Sequence, residues 1–466
     1  MRLRRDGSPT SRATLASQRK RRHRRSGAHD AFHVGTRSRA SALHPAQIGA
    51  QKPHMRHPQR SWLAILLTLL VAAAGPARAQ GDPAFRAFLD GLWPKAKAFG
   101  VSRATFDAVT RGLAPDLKLP DLALPGRTQP GAEGQAEFTQ APAQYLSEGL
   151  LQTLATRGRR LWREHRAALA AIEERFGVPA PVLLAIFGRE TAFGEARLPH
   201  DLLRTLATQA YLGRRKERFQ EEFLYALKMV EEGHLTPARR KSSWAGAMGL
   251  VQFLPSDFYR YAVDGDEDGE IDIWSSPMDA LASVASQLRG KGWRPGRRWA
   301  HEVRPPQELD CTIAEPAHRL TIRQWLARGF TPTSREPLAA AELSEEASLL
   351  LPAGNTGPAF LIPKNYFVIK DYNFSDLYVL FVGHLADRIA GGGAFATPWP
   401  RLNQARTSEI TEMQQRLAAL GFYADKIDGK AGMATRAALG RFQKARGLAV
   451  DCWPSPAALS ALRAAE

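Results

Sequence analysis

One glutamate and one run of acids carry the most reactive chemistry in this 466-residue chain. Glu190 sits in APVLLAIFGRETAFG, residues 180–194. Leu183, Ile186 or Phe187, and Glu190 fall at i, i+3/i+4 and i+7, so the carboxyl shares the apolar side of a helix. Burial disfavours a carboxylate and raises its pKa. A carboxyl kept protonated in this way can deliver a proton to the leaving oxygen of a glycosidic bond. Glycosidases commonly add a second carboxylate, and no partner is evident near Glu190. A single acid suffices if the substrate brings its own nucleophile, as the 2-acetamido group of an N-acetyl sugar can. The same side chain, once deprotonated, could take a proton from an incoming hydroxyl. The pattern alone also fits a helix-end glutamate at a cavity edge, or one paired with Arg189 or Arg197.

Asp264, Asp266, Asp268, Gly269, Glu270 and Asp272 occupy positions 1, 3, 5, 6, 7 and 9 of a calcium-loop pattern. Hard oxygen donors at alternate positions can wrap one ion, with position 7 giving its backbone carbonyl. Position 12, usually a bidentate Glu, is Ser275, and the nearest later acid is Asp279. The reading is a structural Ca2+ with no cofactor for the chemistry. A solvated acidic turn without metal is the alternative.

The elements that must hold these groups are mostly helical. Phe85, Phe88, Leu89 and Leu92 recur at helical spacing, and Ser102 is placed to cap a second helix through Phe106 and Val109. Residues 120–137 are a Pro/Gly-rich loop. Helix resumes near Tyr145 and runs, with breaks, to Phe176. Gly177-Val178-Pro179 stops it, and Pro181 starts the helix carrying Glu190. Further helices are expected at 201–210, 216–232, 255–262 and 279–288. Residues 300–365 carry short β-like runs among Pro and Gly, a small β-rich subdomain. Residues 366–386 read as a strand or loop followed by a helix. A Gly/Pro-rich linker at 391–404 leads to a separate three-helix unit at 405–466, with helices near 408–420, 433–446 and 455–463.

The formal net charge of +18 is concentrated at the start of the chain. Residues 1–54 hold 13 Lys and Arg against two Asp, and 55–79 add three Arg, leaving net +4 for 80–466. With no base-reading module, nucleic acid is excluded as a partner of the mature protein. Residues 62–75, WLAILLTLLVAAAG, preceded by Arg56 and Arg60 and followed by Ala77-Arg78-Ala79, read as a signal peptide cleaved after Ala79. No cysteine lies there, so no lipid anchor is expected. Met55 opens an ordinary signal peptide, which makes 1–54 a disordered or mis-assigned extension. Export permits a disulfide. Cys311 and Cys452 lie in different expected domains, and their pairing is left open.

FGVPAPVLLAIFGRETAFG and KSSWAGAMGLVQFLPSDFYRYAVDGDEDGEIDIWSSPMDALASVASQL resemble the B-type lytic murein transglycosylases, as do QAEFTQAPAQYL at 135–146, Arg214 to Phe219, and KGW at 291–293. The likeness covers about 83–390. It implies a mainly α, lysozyme-like α+β catalytic domain over 80–390. It also implies cleavage of the β-1,4 bond between N-acetylmuramic acid and N-acetylglucosamine in peptidoglycan, with the C6 hydroxyl attacking C1 to leave a 1,6-anhydro end. Carried onto this chain, Glu190 is acid and then base. Ser243 and Gln252 would hold the N-acetylmuramoyl unit, Tyr372 and Asn373 would line the cleft, and Arg214 and Arg215 would meet the peptide stem or glycan. The family's loop closes on a displaced acid, which makes Asp279 the last metal ligand beside Asp264, Asp266, Asp268, Glu270 and Asp272. Residues 408–464, including MQQRLAALGFYADKIDGKAGMATRAALGRFQKARGL, resemble the helical peptidoglycan-binding domain, implying a tether to the wall. The resemblance implies a periplasmic setting, glycan strands as partner, and other wall enzymes as further partners. A hydrolytic muramidase and a non-catalytic wall-binding scaffold are the alternatives.

Overall fold

The catalytic candidate lies in a helix that is apolar on every side. Helix Ala180–Thr191 buries Ala180 through Gly188 and Thr191, and only Arg189 and Glu190 reach partial exposure. The stripe expected from spacing therefore understates its surroundings, since an all-round apolar helix belongs at the centre of a core. Gly177, at φ 70°, ends the preceding helix Arg166–Phe176, and Pro181 occupies the first turn of the next. The Glu173 carboxylate accepts from the Ala180 N–H at 3.1 Å, filling one of the donors a helix start leaves open.

The computed structural model describes residues 82–124 and 136–465. The expected extension at 1–54 and signal peptide at 55–79 lie outside the described residues. Helices Glu148–Glu164 and Asp376–Ile389 flank the central helix. Helices Leu202–Leu212 and Lys216–Glu231 pack on each other, and Pro255–Tyr261 and Pro277–Gly290 complete the helical body. Among the described residues, no helix is long and apolar enough to cross a membrane.

The β-rich subdomain is an antiparallel five-stranded sheet in the order Arg319–Thr321, Glu346–Leu350, Ala359–Ile362, His301–Arg304, Thr331–Pro332. Its own core gathers Val303, Ile322, Trp325, Phe330, Leu349 and Leu361. Residues Lys364–Lys370 then form a helix, where a strand or loop was expected. The run Tyr366-Phe367-Val368-Ile369 suits either state by composition. Burial of Tyr366, Val368 and Ile369 against the helical core decides for helix.

Helices Thr407–Ala419, Met433–Ala445 and Pro456–Arg463 form the C-terminal unit around Ile410, Met413, Leu417, Leu439, Phe442 and Leu459. Buried Gln414 ties it together: its Oε1 accepts from the Asp428 and Gly429 N–H groups, and its Nε2 donates to the Asp428 carboxylate and Thr435 Oγ1. The unit is docked on the catalytic body. Cys311 and Cys452 form a disulfide that joins the β-rich subdomain to the C-terminal unit, answering the question the sequence left open. Met433 enters the main core, and Lys444 pairs with Asp310 at 3.0 Å. The expected linker is packed as well. The Phe395 ring lies 3.7 Å from that of His384, and the Glu302 carboxylate accepts from the Ala396 and Thr397 N–H groups.

Candidate active site

Helix Ala180–Thr191 ends one residue after Glu190. Ala192, Phe193 and Gly194 take left-handed conformations at φ 50°, 60° and 87°. Two consecutive non-glycine residues there cost energy, so the surroundings must impose the turn. Gly188 explains how: a Cβ at that position would come within 2.7 Å of the Phe193 ring, which folds back beneath the helix in its place. The Phe193 ring also meets Phe187 edge-on at 5.5 Å. Thr191 Oγ1 donates to the Leu250 carbonyl at 2.6 Å and accepts from the Gly194 N–H at 3.1 Å, fastening the helix end to the 242–256 segment.

Glu190 is half-buried. Its Oε1 accepts a 2.5 Å hydrogen bond from the Tyr378 hydroxyl of helix Asp376–Ile389. Burial pushes the Glu190 carboxyl up to about 7, against the lowering effects of the Tyr378 hydroxyl and the adjacent Arg189 guanidinium, while the Glu137 carboxylate adds to the rise. Arg189 is itself held away: its Nε and Nη2 donate to Tyr145 Oη at 3.1 and 2.5 Å, and its guanidinium stacks on the Tyr145 and Phe381 rings. The salt bridge to Arg189 that the pattern allowed is not what the structure shows; the close partner is a neutral phenol.

Tyr372 stacks on Tyr378 with ring planes 7° apart and centroids 6.4 Å apart. Its hydroxyl donates to the Val251 carbonyl. Glu190, Tyr378, Tyr372 and the 250–253 turn thus form one connected group. Gln252, in that turn, is left-handed at φ 57°, and its Nε2 donates to the Gly249 carbonyl at 3.0 Å. Asn373 Nδ2 donates to Glu137 Oε1 at 3.4 Å, and the Glu137 carboxylate, on the short helix Ala136–Thr139, is near enough to raise the Glu190 pKa. Ser243 shapes its own turn, its Oγ accepting from the Ala245 and Ala247 N–H groups at 3.3 and 3.1 Å. Arg214 and Arg215 both pair with Asp121, at 3.5 and 3.1 Å, which commits part of their charge. Tyr378 was missed from sequence because DLYVLFVGHL is an apolar helix in which a tyrosine passes for packing.

The acidic run divides. Asp264, Asp266 and Asp268 each present a carboxylate oxygen within 4.8 Å of the others, a hard donor set that fits Ca2+. Asp264 also accepts from the Glu267 and Gly269 N–H groups, which curls the loop. Asp279 is buried, and its two oxygens accept from the Gly265 and Asp272 N–H groups at 2.8 and 2.6 Å, closing the loop from the next helix. Asp272 pairs with Arg239 at 2.9 Å and accepts from the Trp274 and Ser275 N–H groups. The Glu270 side chain is exposed. Three of the six expected ligands therefore converge, while Asp272 and Asp279 are engaged within the loop.

Comparison with known proteins places these features. Residues 406–462 match the family model of a peptidoglycan binding domain. Membrane-bound lytic murein transglycosylase B of Escherichia coli (strain K12) is 33% identical over 232 residues, 49% of this chain. That match spans 62% of the relative's own length. SltB3 from Pseudomonas aeruginosa, in complex with NAG-anhNAM-pentapeptide, is similar with a TM-score of 0.73 and 38% identity, over 82% of this chain and 100% of the other. Lytic transglycosylase Slt35 of Escherichia coli, in complex with calcium, gives a TM-score of 0.53 and 28% identity, over 66% and 95% of the two chains. Residues 84–387 match the model of the transglycosylase SLT domain, and the chain belongs to that family.

Proposed function

We infer that the protein is a lytic transglycosylase that cleaves the β-1,4 bond between N-acetylmuramic acid and N-acetylglucosamine in peptidoglycan and leaves 1,6-anhydromuramoyl ends. The observation that carries this reading is Glu190: a half-buried carboxyl, held near 7, with its oxygen fixed by the Tyr378 hydroxyl. Protonated, Glu190 gives its proton to the glycosidic oxygen, and the N-acetylglucosamine side leaves with the bonding pair. The acetamido oxygen of the muramoyl unit closes on C1 and holds the developing positive charge. The Glu190 carboxylate then takes the proton of the C6 hydroxyl, O6 bonds to C1 and the acetamido oxygen departs. The sum consumes no water and returns Glu190 to its starting state.

Gln252, Tyr372 and Asn373 surround the muramoyl unit in this reading, supported by the links from Tyr372 to Val251 and from Asn373 to Glu137. Ser243 contributes through the turn that presents them. Arg214 and Arg215 meet glycan or stem peptide with the charge Asp121 leaves free. Asp264, Asp266 and Asp268 would hold a structural Ca2+, with Glu270 offering its backbone carbonyl as the loop pattern implies and Asp272 and Asp279 shaping the loop; the calcium complex of Slt35 supports this. The protein works in the periplasm, exported by the 55–79 segment, on glycan strands and alongside other wall enzymes.

Digestion of purified sacculi with product mass analysis tests the reading. The expected muropeptides are lighter by one water than those of a hydrolase. Glu190→Gln is expected to release no sugar while still pelleting with sacculi. Reducing-end products from the wild type, or full activity in the variant, would overturn it.

A further inference from the structure

The C-terminal unit touches the catalytic machinery at a point a mere tether would not need. Helix Asp376–Ile389 carries Tyr378, whose hydroxyl lies on Glu190. Asp376 is the first residue of that helix and is buried with three partners. The Tyr366 hydroxyl donates to Oδ1 at 2.8 Å, Lys370 Nζ lies 2.5 Å from the same oxygen, and Arg436 Nη2 donates to Oδ2 at 3.0 Å. Burial alone would push the Asp376 carboxyl up, but Lys370 and Arg436 beside it hold it well below the usual range. Arg436 comes from helix Met433–Ala445 of the C-terminal unit and is itself buried, its other nitrogen donating to the Ala431 carbonyl. A desolvated ion pair is a poor source of net stability but a strict geometric constraint, because each charge must keep its partner.

The same end of the helix is reached by two more contacts. Ser375 caps it, its Oγ accepting from the Leu377 and Tyr378 N–H groups and donating to the Glu137 carbonyl at 3.3 Å. Next to Glu137, the Phe138 ring carries the Lys430 ammonium of the C-terminal unit at 4.1 Å. Both segments that border Glu190 from this side, 136–139 and 372–378, therefore rest on the C-terminal unit.

We propose that Arg436 is a positioning residue for catalysis: through its buried pair with Asp376 it fixes the first turn of helix Asp376–Ile389, and with it the hydroxyl that Tyr378 places on Glu190. The C-terminal unit is then part of the catalytic framework as well as an anchor to the wall. This rests on the transglycosylase reading above.

The test separates framework from tether by using soluble, uncrosslinked glycan strands, on which anchoring gives no advantage. Arg436→Met in the full-length protein is expected to lower kcat roughly 10- to 100-fold, the scale on which a displaced catalytic group acts, with KM nearly unchanged. Arg436→Lys, which keeps the cation but loses the fork, should recover part of the rate. Arg463→Ala, whose partner Glu412 lies within the C-terminal unit, should keep wild-type turnover. The alkaline limb of kcat provides a second readout. Tyr378 and Arg189 lower the Glu190 pKa, Glu137 raises it, and Tyr372 and Tyr145 stay neutral beside it. Loosening the Tyr378 bond should move the limb up. An unchanged kcat and limb in Arg436→Met, with loss confined to sacculi, overturns the proposal. Should that variant not fold, Arg436→Gln replaces it, and a wild-type kcat and limb there overturn the proposal instead. A wild type that yields no anhydro product sinks the transglycosylase reading itself, a separate result.

Discussion

Tyr378→Phe isolates the hydrogen bond that tunes the proposed acid. The ring and its stacking on Tyr372 remain, and only the hydroxyl on Glu190 Oε1 is removed. That bond stabilises the carboxylate over the neutral carboxyl. Hydrogen bonds to charged groups are worth about 1.5–3 kcal/mol, and one pKa unit corresponds to about 1.4 kcal/mol, so the loss amounts to roughly one to two units. From a starting value of about 7, the Glu190 pKa should rise to roughly 8 to 9. Proton donation needs the protonated form, so the alkaline limb of kcat should move up by the same amount. The rate at its plateau should fall, because the hydroxyl no longer orients the oxygen that must later act as base. Initial rates of anhydromuramoyl release from soluble strands, taken from acid to alkaline pH, read both effects. A limb that stays in place or moves down would refute the reasoning, since it would mean that the phenol does not donate to the reacting carboxylate.

Glu190 also makes stability depend on pH, with a definite sign. Its folded value, about 7, lies above the ordinary 4.5, so between these values the folded protein keeps a proton that the unfolded chain has released. The Glu190 contribution therefore falls as pH rises through that window and is flat above it; thermal melts should show Glu190→Gln losing less stability than the wild type from pH 5 to pH 8. Calcium at about 10 mM, against a Kd of roughly 10⁻⁴–10⁻³ M, should add about 1.4–2.7 kcal/mol, a gain that Asp264→Ala with Asp266→Ala abolishes; a chelator-insensitive melt excludes the site. Replacing both Cys311 and Cys452 with Ser opens a bond between residues 141 apart and should cost roughly 2–5 kcal/mol in denaturant unfolding. Gly440→Ala should also destabilise, because its Cβ would lie 2.2 Å from Cys452 Sγ; a melt equal to the wild type's would mean the disulfide does not pass over that helix.

What was legible from sequence was local. Helix boundaries around Glu190 follow from Gly177, Pro181 and the run of apolar residues between Val182 and Phe187, and the β-rich stretch near 300–365 follows from short runs broken by Pro and Gly. The spacing of Asp264, Asp266 and Asp268 anticipated their convergence. What was not legible depends on side chains brought together from distant parts of the chain. Tyr378 looks like packing, and Glu137 belongs to a four-residue helix beside a Pro/Gly-rich loop. Asp376 and Arg436 are charged residues of the kind that usually face water, yet each is more than nine-tenths buried because the other is there. The docking of the C-terminal unit was hidden for the same reason: a boundary drawn from composition at 391–404 detects the change of segment but not what the later segment packs against. The physical consequence reaches the reaction. In the proposed reaction Glu190 acts as the acid only while burial keeps it protonated and a fixed donor keeps its oxygen aimed. That donor is Tyr378, on a helix whose first residue is paired to the C-terminal unit.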